Sequence, residues 1–115
     1  MTIYWEDFKV GETVDMGSHS FTEAEIIAFA KQFDPQPFHT DPQAAKQSAF
    51  GGLIASGWHT CAVCMRLNCE TYINRTVSLG SPGLDNIRWL KPVRPGDTIT
   101  YRRTVLESRA SRSRP

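Results

Sequence analysis

Residues 57 to 73 read G-W-H-T-C-A-V-C-M-R-L-N-C-E-T-Y-I, a proline-free run whose one glycine stands at its start. Wound at about 100° per residue, the apolar side chains from Trp58 through Cys61, Ala62, Cys64, Met65 and Cys69 to Tyr72 and Ile73 cover most of the circumference. A helix of that kind is usually enclosed by its domain rather than laid on a surface. The stretch predicts a central buried helix from about Ser56 to Ile73. The rest of the chain has to supply what wraps it.

The flanks read as strands. Val10-Gly11-Glu12 is a turn signal, and Val14 and Met16 then alternate with polar residues, predicting a half-buried strand before residue 21. Ile87 and Trp89 alternate with polar neighbours up to Pro92, predicting a strand over 84 to 92. Pro95-Gly96 predicts a type II turn with glycine at its third position, and Ile99, Tyr101, Arg103 and Val105 predict a strand over 97 to 107. Ahead of the central helix, Thr22 and Glu25 have capping-box spacing, with Phe21 and Ile26 placed to close a hydrophobic staple. Ile26, Ile27, Ala30 and Phe33 share a face, so a helix runs from about 22 to 33. The sum is an α+β domain: antiparallel strands curled round one buried helix.

Composition narrows the function. At 115 residues the chain is a single domain, and a net charge of +1 gives no electrostatic case for nucleic acid or a membrane surface as partner. No apolar run approaches the roughly 20 residues of a membrane span, and M-T-I-Y-W-E-D lacks the parts of a signal peptide. Cytoplasm is the expected location. The three cysteines, Cys61, Cys64 and Cys69, are odd in number and clustered, unlike a secreted disulfide framework. Cys61 and Cys64 have redox-motif spacing, yet they lie inside an apolar helix. With His59 and Cys69 they do not share one helical face, so no metal is expected. His59 reads as packing or pocket wall, His19 as a strand surface residue, and the Arg-Ser run at the end as a solvated hairpin end.

The chemistry concentrates in Phe33-Asp-Pro-Gln-Pro-Phe-His-Thr-Asp41. A residue before proline is held out of the α region, so the first helix must stop and Asp34 and Gln36 must be extended. Asp41-Pro42 reads as the N-cap and first residue of a short helix, which accounts for Asp41. Asp34 and His39 admit two readings: an Asp that starts a turn before proline beside a satisfied surface or core histidine, or an acid-base pair. Asp34 follows a helix C-terminus, where the dipole disfavours a carboxylate and predicts a raised pKa. His39 brings an imidazole, the side-chain type suited to moving protons near neutrality. In full polyproline geometry the loop would hold the two roughly 15 Å apart. They can share a water only if the chain curls between Gln36 and His39. Gly57, at the start of the central helix, admits two readings: it lets helix and sheet pack closely, or its N–H faces a developing oxyanion.

Asp34-Pro-Gln-Pro-Phe-His39-Thr-Asp41, then Ala44-Ala45, Ser48-Ala-Phe50-Gly51 and Ile54-Ala-Ser-Gly57, resembles the MaoC-like dehydratases, the (R)-specific enoyl-CoA hydratases. Trp89-Leu-Lys-Pro92-Val93-Arg-Pro95-Gly96-Asp97 is similar to the strand-turn signature of the same family, and the likeness runs from about Glu6 to Glu107. The resemblance implies a hotdog fold, an antiparallel sheet wrapped round a central helix, usually dimerised. It implies hydration of trans-2-enoyl-CoA to (R)-3-hydroxyacyl-CoA with no metal or redox cofactor. Asp34 and His39 would be the dyad that activates water, and the Gly57 N–H would hold the thioester oxygen. Gln36, Phe38, Ser56 and Trp58 would bind substrate. Two positions depart from the pattern: Gln36 stands where the family has Asn, and Ser56 where a His is common. A hotdog thioesterase and a non-catalytic acyl-CoA-binding protein are the rival readings. The strands that can be counted are too few to cover a helix apolar on several sides, so the sequence is expected to lack its last strands.

Overall fold

Thr22 and Glu25 form the capping box their spacing predicts. The Thr22 hydroxyl accepts the Glu25 N–H, and a Glu25 carboxylate oxygen accepts the Thr22 N–H at 2.9 Å. The helix they open, α1, spans Glu23–Phe33 and ends at the second residue before Pro35, with Asp34 as C-cap. Phe21 and Ile26, the expected staple pair, are both fully buried in one core cluster. The computed structural model describes residues 2–76, 80–81 and 83–108. The Arg-Ser run over 109 to 115 lies outside them.

After α1 the chain makes two short helices, α2 over Pro37–Thr40 and α3 over Pro42–Lys46. Each starts with proline at its first position, and the Asp41 side chain accepts the Gln43 N–H as expected. The segment Leu53 to Ser56 is then buried throughout. Its backbone is satisfied from both sides: Ile54 N–H donates to the Phe38 carbonyl and Ala55 N–H to the Val93 carbonyl. It leads into α4, Gly57–Thr71, capped by Ser56.

Two antiparallel strands carry the core. β1 spans Thr13–Ser20 and β2 spans Thr98–Thr104, and their outer face is zipped by hydroxyl pairs Thr13–Thr104, Ser18–Thr100 and Ser20–Thr98. The turn before β2 has Gly96 at φ +90°, with Asp97 N–H donating to the Arg94 carbonyl, the type II geometry expected. Between Asp15 and Gly17 the register slips by a bulge, and Gly17 takes φ +112°. The slip inverts the alternation. Val14 and Met16 face inward before it, and His19 faces inward after it, against the expectation that His19 is a surface residue.

Two further expectations are corrected. Residues 84 to 92 form no strand among the described residues, and the expected alternation is not kept: Ile87 is half-buried, but Trp89 is exposed like its neighbours. Nor is the central helix enclosed on most sides. The buried residues of α4 are His59, Val63 and Leu67, one stripe at i, i+4, i+8, while Trp58 and Met65 stand half exposed. Two strands are wide enough to cover one stripe and no more.

Candidate active site

The loop between α1 and α2 curls as a shared site requires. Gln36 is extended as expected, at φ −80° and ψ 142°, but Asp34 is not: at φ −156° and ψ 67° it lies outside both the helical and the extended regions, and the turn of α2 then swings His39 back. His39 Nε2 comes to 3.3 Å from Asp34 Oδ2, far inside the separation of a fully extended loop. The imidazole is 5% exposed and lies edge-on to Phe38. Its Nδ1 meets the Ile54 carbonyl oxygen at 2.7 Å. A carbonyl can only accept, so Nδ1 carries a proton and Nε2 is the nitrogen left to exchange one at Asp34.

Both oxygens of Asp34 are engaged. Gln36 Nε2 donates to Oδ1 at 2.7 Å, and the Ser56 hydroxyl donates to Oδ2 at 2.7 Å. Burial pushes the carboxyl up, but the hydrogen bonds from Gln36 and Ser56 and the charge of His39 outweigh it and hold the pKa below the usual aspartate value. This reverses the rise expected from the C-terminal end of α1. The donors come from chain positions whose proximity no helix-dipole argument contains.

Asp34, Gln36, Phe38, His39, Gly57 and Trp58 line one cavity of about 620 Å³. Ser56, expected against the substrate, does not line it; it is fully buried behind Asp34. Gly57 is the first residue of α4, so its N–H has no acceptor within the helix. A Cβ at this position would land in the indole of Trp89, against Cε2, Cδ2 and Nε1, so the glycine does permit close packing, though against a residue outside the sheet. Trp89 in turn lies edge to face with Trp58. Sequence reasoning did not assign Trp89, Thr60 or the Ile54 carbonyl to the site. Trp89 is distant in sequence, and a main-chain carbonyl leaves no residue-type signal.

The other titratable cluster lies apart from the cavity. His19 Nε2 meets Glu25 Oε2 at 2.7 Å, His59 Nε2 meets the same oxygen at 3.3 Å, and Arg66 reaches His19 Nδ1 at 3.3 Å. His59 stacks flat on Phe29 and is absent from the cavity wall, so its part is packing. Cys61, Cys64 and Cys69 are free thiols, and among the described residues no group of three or more His, Cys, Asp or Glu is gathered as for a metal ion. No helix among them is long and apolar enough to cross a membrane.

An antiparallel sheet packed on a helix is the hotdog fold, and the solved structures this chain resembles are MaoC-like dehydratases and R-hydratases. The chain belongs to the family defined by the MaoC like domain, whose model matches residues 7–114. A MaoC-like dehydratase from Rhodospirillum rubrum is 45% identical, superposes with a TM-score of 0.85, and is matched over 98% of this chain and 77% of that one. An R-hydratase from Pseudomonas aeruginosa is 25% identical with a TM-score of 0.72, over 92% of this chain and 66% of its own. Protein MaoC of Klebsiella aerogenes is 30% identical over 102 residues, covering 88% of this chain and 30% of that protein. The 3-hydroxyacyl-thioester dehydratase Z of Mycobacterium tuberculosis is 34% identical over 82 residues, 70% of this chain and 54% of that protein. Of those two curated relatives, this chain spans about a third and about half.

Proposed function

We propose that this protein adds water to the double bond of a trans-2-enoyl-CoA thioester, giving the (R)-3-hydroxyacyl-CoA, and runs the reverse dehydration. The observation that carries the reading is the 3.3 Å approach of His39 Nε2 to Asp34 Oδ2 in the wall of a cavity that also holds Gly57 at a helix N-terminus. Likeness to R-hydratases and to a 3-hydroxyacyl-thioester dehydratase supports it.

The chemistry divides among the parts. The oxygen of water bonds to C3 while a proton leaves it, C2 gains a proton, and negative charge builds in between on the thioester oxygen. One dyad member takes the proton from water and the other supplies the proton to C2. The unpaired Gly57 N–H, at the positive end of α4, is the group suited to the developing oxyanion. Reaching it requires Trp89 to leave room, since the indole now rests on Gly57. The aromatic walls, Phe38 among them, suit an acyl chain, and the site needs no metal or redox cofactor for this reaction.

Crotonyl-CoA tests the reading against both rivals in one vessel. Loss of the enoyl absorbance without free thiol is the expected result. Release of thiol would make the protein a thioesterase, and saturable binding with neither change would make it an acyl-CoA-binding protein without catalysis.

A further inference from the structure

Asp34 lies between two helix ends of opposite sign. It caps the C-terminus of α1, which repels a carboxylate, and it reaches the N-terminus of α4, which attracts one. The link to the second end is a single hydroxyl. Ser56 Oγ donates to Asp34 Oδ2 at 2.7 Å and accepts the N–H of Trp58 at 3.2 Å, and the residue is fully buried. A hydroxyl has one proton to give, so this relay has one direction: backbone N–H to hydroxyl to carboxylate.

We propose that Ser56 is a positioning residue of the site: its hydroxyl joins Asp34 to the N-terminus of α4, fixes Oδ2 toward His39 and holds the carboxylate in its charged form. The kinetic part of this rests on the hydratase reading; the ionisation of Asp34 does not. The lowered pKa of Asp34, where burial alone would raise it, agrees with the geometry. The charged and titratable groups around it are few. His39 faces it from α2, Lys91 lines the same cavity from the segment before β2, α1 has Lys31 in its last turn, and the first turn of α4 has no acidic residue. Gln36 holds the other oxygen from within the loop, so it fixes the carboxylate locally but cannot couple it to α4.

The relay gives serine two roles at this position. The N-cap position of α4 needs a side-chain oxygen for the Trp58 N–H, and the same oxygen carries the proton that Asp34 accepts.

The test is a direct titration. Protein labelled with ¹³C at the aspartate carboxyls is followed by NMR, with the Asp34 signal assigned by its loss in Asp34→Asn. In Ser56→Ala the Asp34 midpoint is expected to move to higher pH, and Ser56→Thr, which restores a hydroxyl, is expected to return it. Ser56→Gly provides a second hydroxyl-free variant at a position where glycine is a tolerated cap. A midpoint unmoved in both hydroxyl-free variants overturns the proposal, as does a shift in Ser56→Thr as large as in Ser56→Ala. With crotonyl-CoA the expected loss in Ser56→Ala is in kcat at little-changed KM. A rise in KM at constant kcat would place Ser56 in substrate binding and overturn it equally. Wild-type protein inactive on crotonyl-CoA would refute the hydratase reading while leaving the titration to decide this one.

Discussion

A methyl group at position 57 would have to displace the indole of Trp89, the tightest constraint on any glycine in the described chain. Gly57→Ala is therefore expected to lose about 1–3 kcal/mol of stability by overpacking. Trp89→Ala in the same background should recover most of it, measured by urea denaturation of the two variants; if the cost persists without the indole, the packing contact is not its source. The proton-transfer groups make a separate prediction. Asp34→Asn and His39→Ala should each lower turnover of crotonyl-CoA roughly 10²–10⁴-fold with an unchanged circular dichroism spectrum. The amide introduced by Asp34→Asn has one acceptor oxygen where the carboxylate has two, so it keeps the bond from Ser56 only if the Gln36 amide turns to present its own oxygen. Either variant turning over near the wild-type rate with normal affinity would remove that residue from the dyad.

At the scale of elements, Glu25 joins three of them. It caps α1, and through His19 and His59 it ties that helix to β1 and α4. Burial lowers the pKa of His59 and its attraction to Glu25 only partly restores it, while Nδ1 is buried with no partner. The sign of the consequence follows. A base whose folded pKa is lowered binds its proton first in the unfolded chain, so stability falls as pH drops below the ordinary imidazole value of 6.5. Glu25 has the opposite chemistry with the same direction. Burial raises its pKa, but the Thr22 N–H and the two histidines outweigh that, so its contribution is full above 4.5 and lost further into acid. The melting temperature should therefore begin to fall near pH 6.5, before ordinary carboxylates titrate. His59→Phe, which keeps the stack on Phe29, should flatten the decline between pH 7 and 5; an identical pH profile would show that another group causes it.

Across the whole molecule, the sheet is narrower than the helix it carries. The inward stripe of α4 meets β1 and β2, while Trp58 and Met65 on its other sides are half exposed, as are Trp89 and Phe50 around the cavity. A two-stranded sheet is marginal by itself in water. We propose that further strands complete the sheet in the functional protein, and that the active form is a homodimer. A 1–115 polypeptide is then expected to melt broadly and to bind a dye for exposed apolar surface. A soluble dimer with one sharp, cooperative transition would show that these residues suffice. Sedimentation velocity on the same sample separates dimer from monomer.

What the sequence determined was local. Thr22 and Glu25, three residues apart, specified the start of α1; Pro35 and Pro37 specified its end; Asp41-Pro42 specified α3; Pro95-Gly96 specified the turn into β2. Each rests on interactions within a few residues, where dihedral restriction and capping dominate. Asp34, His39 and Gly57, singled out by their likeness to a family motif, line one cavity. The tertiary structure decided what depends on neighbours distant in sequence. Whether 84 to 92 paired was a matter of which strand lay beside it, and among the described residues none did. His19 turned inward because a bulge at Met16 inverted the phase of a strand whose period of two leaves no tolerance for one extra residue. The lowered pKa of Asp34 depends in part on Ser56, 22 residues away, whose hydrogen bond joins that of Gln36 and the charge of His39 in outweighing burial.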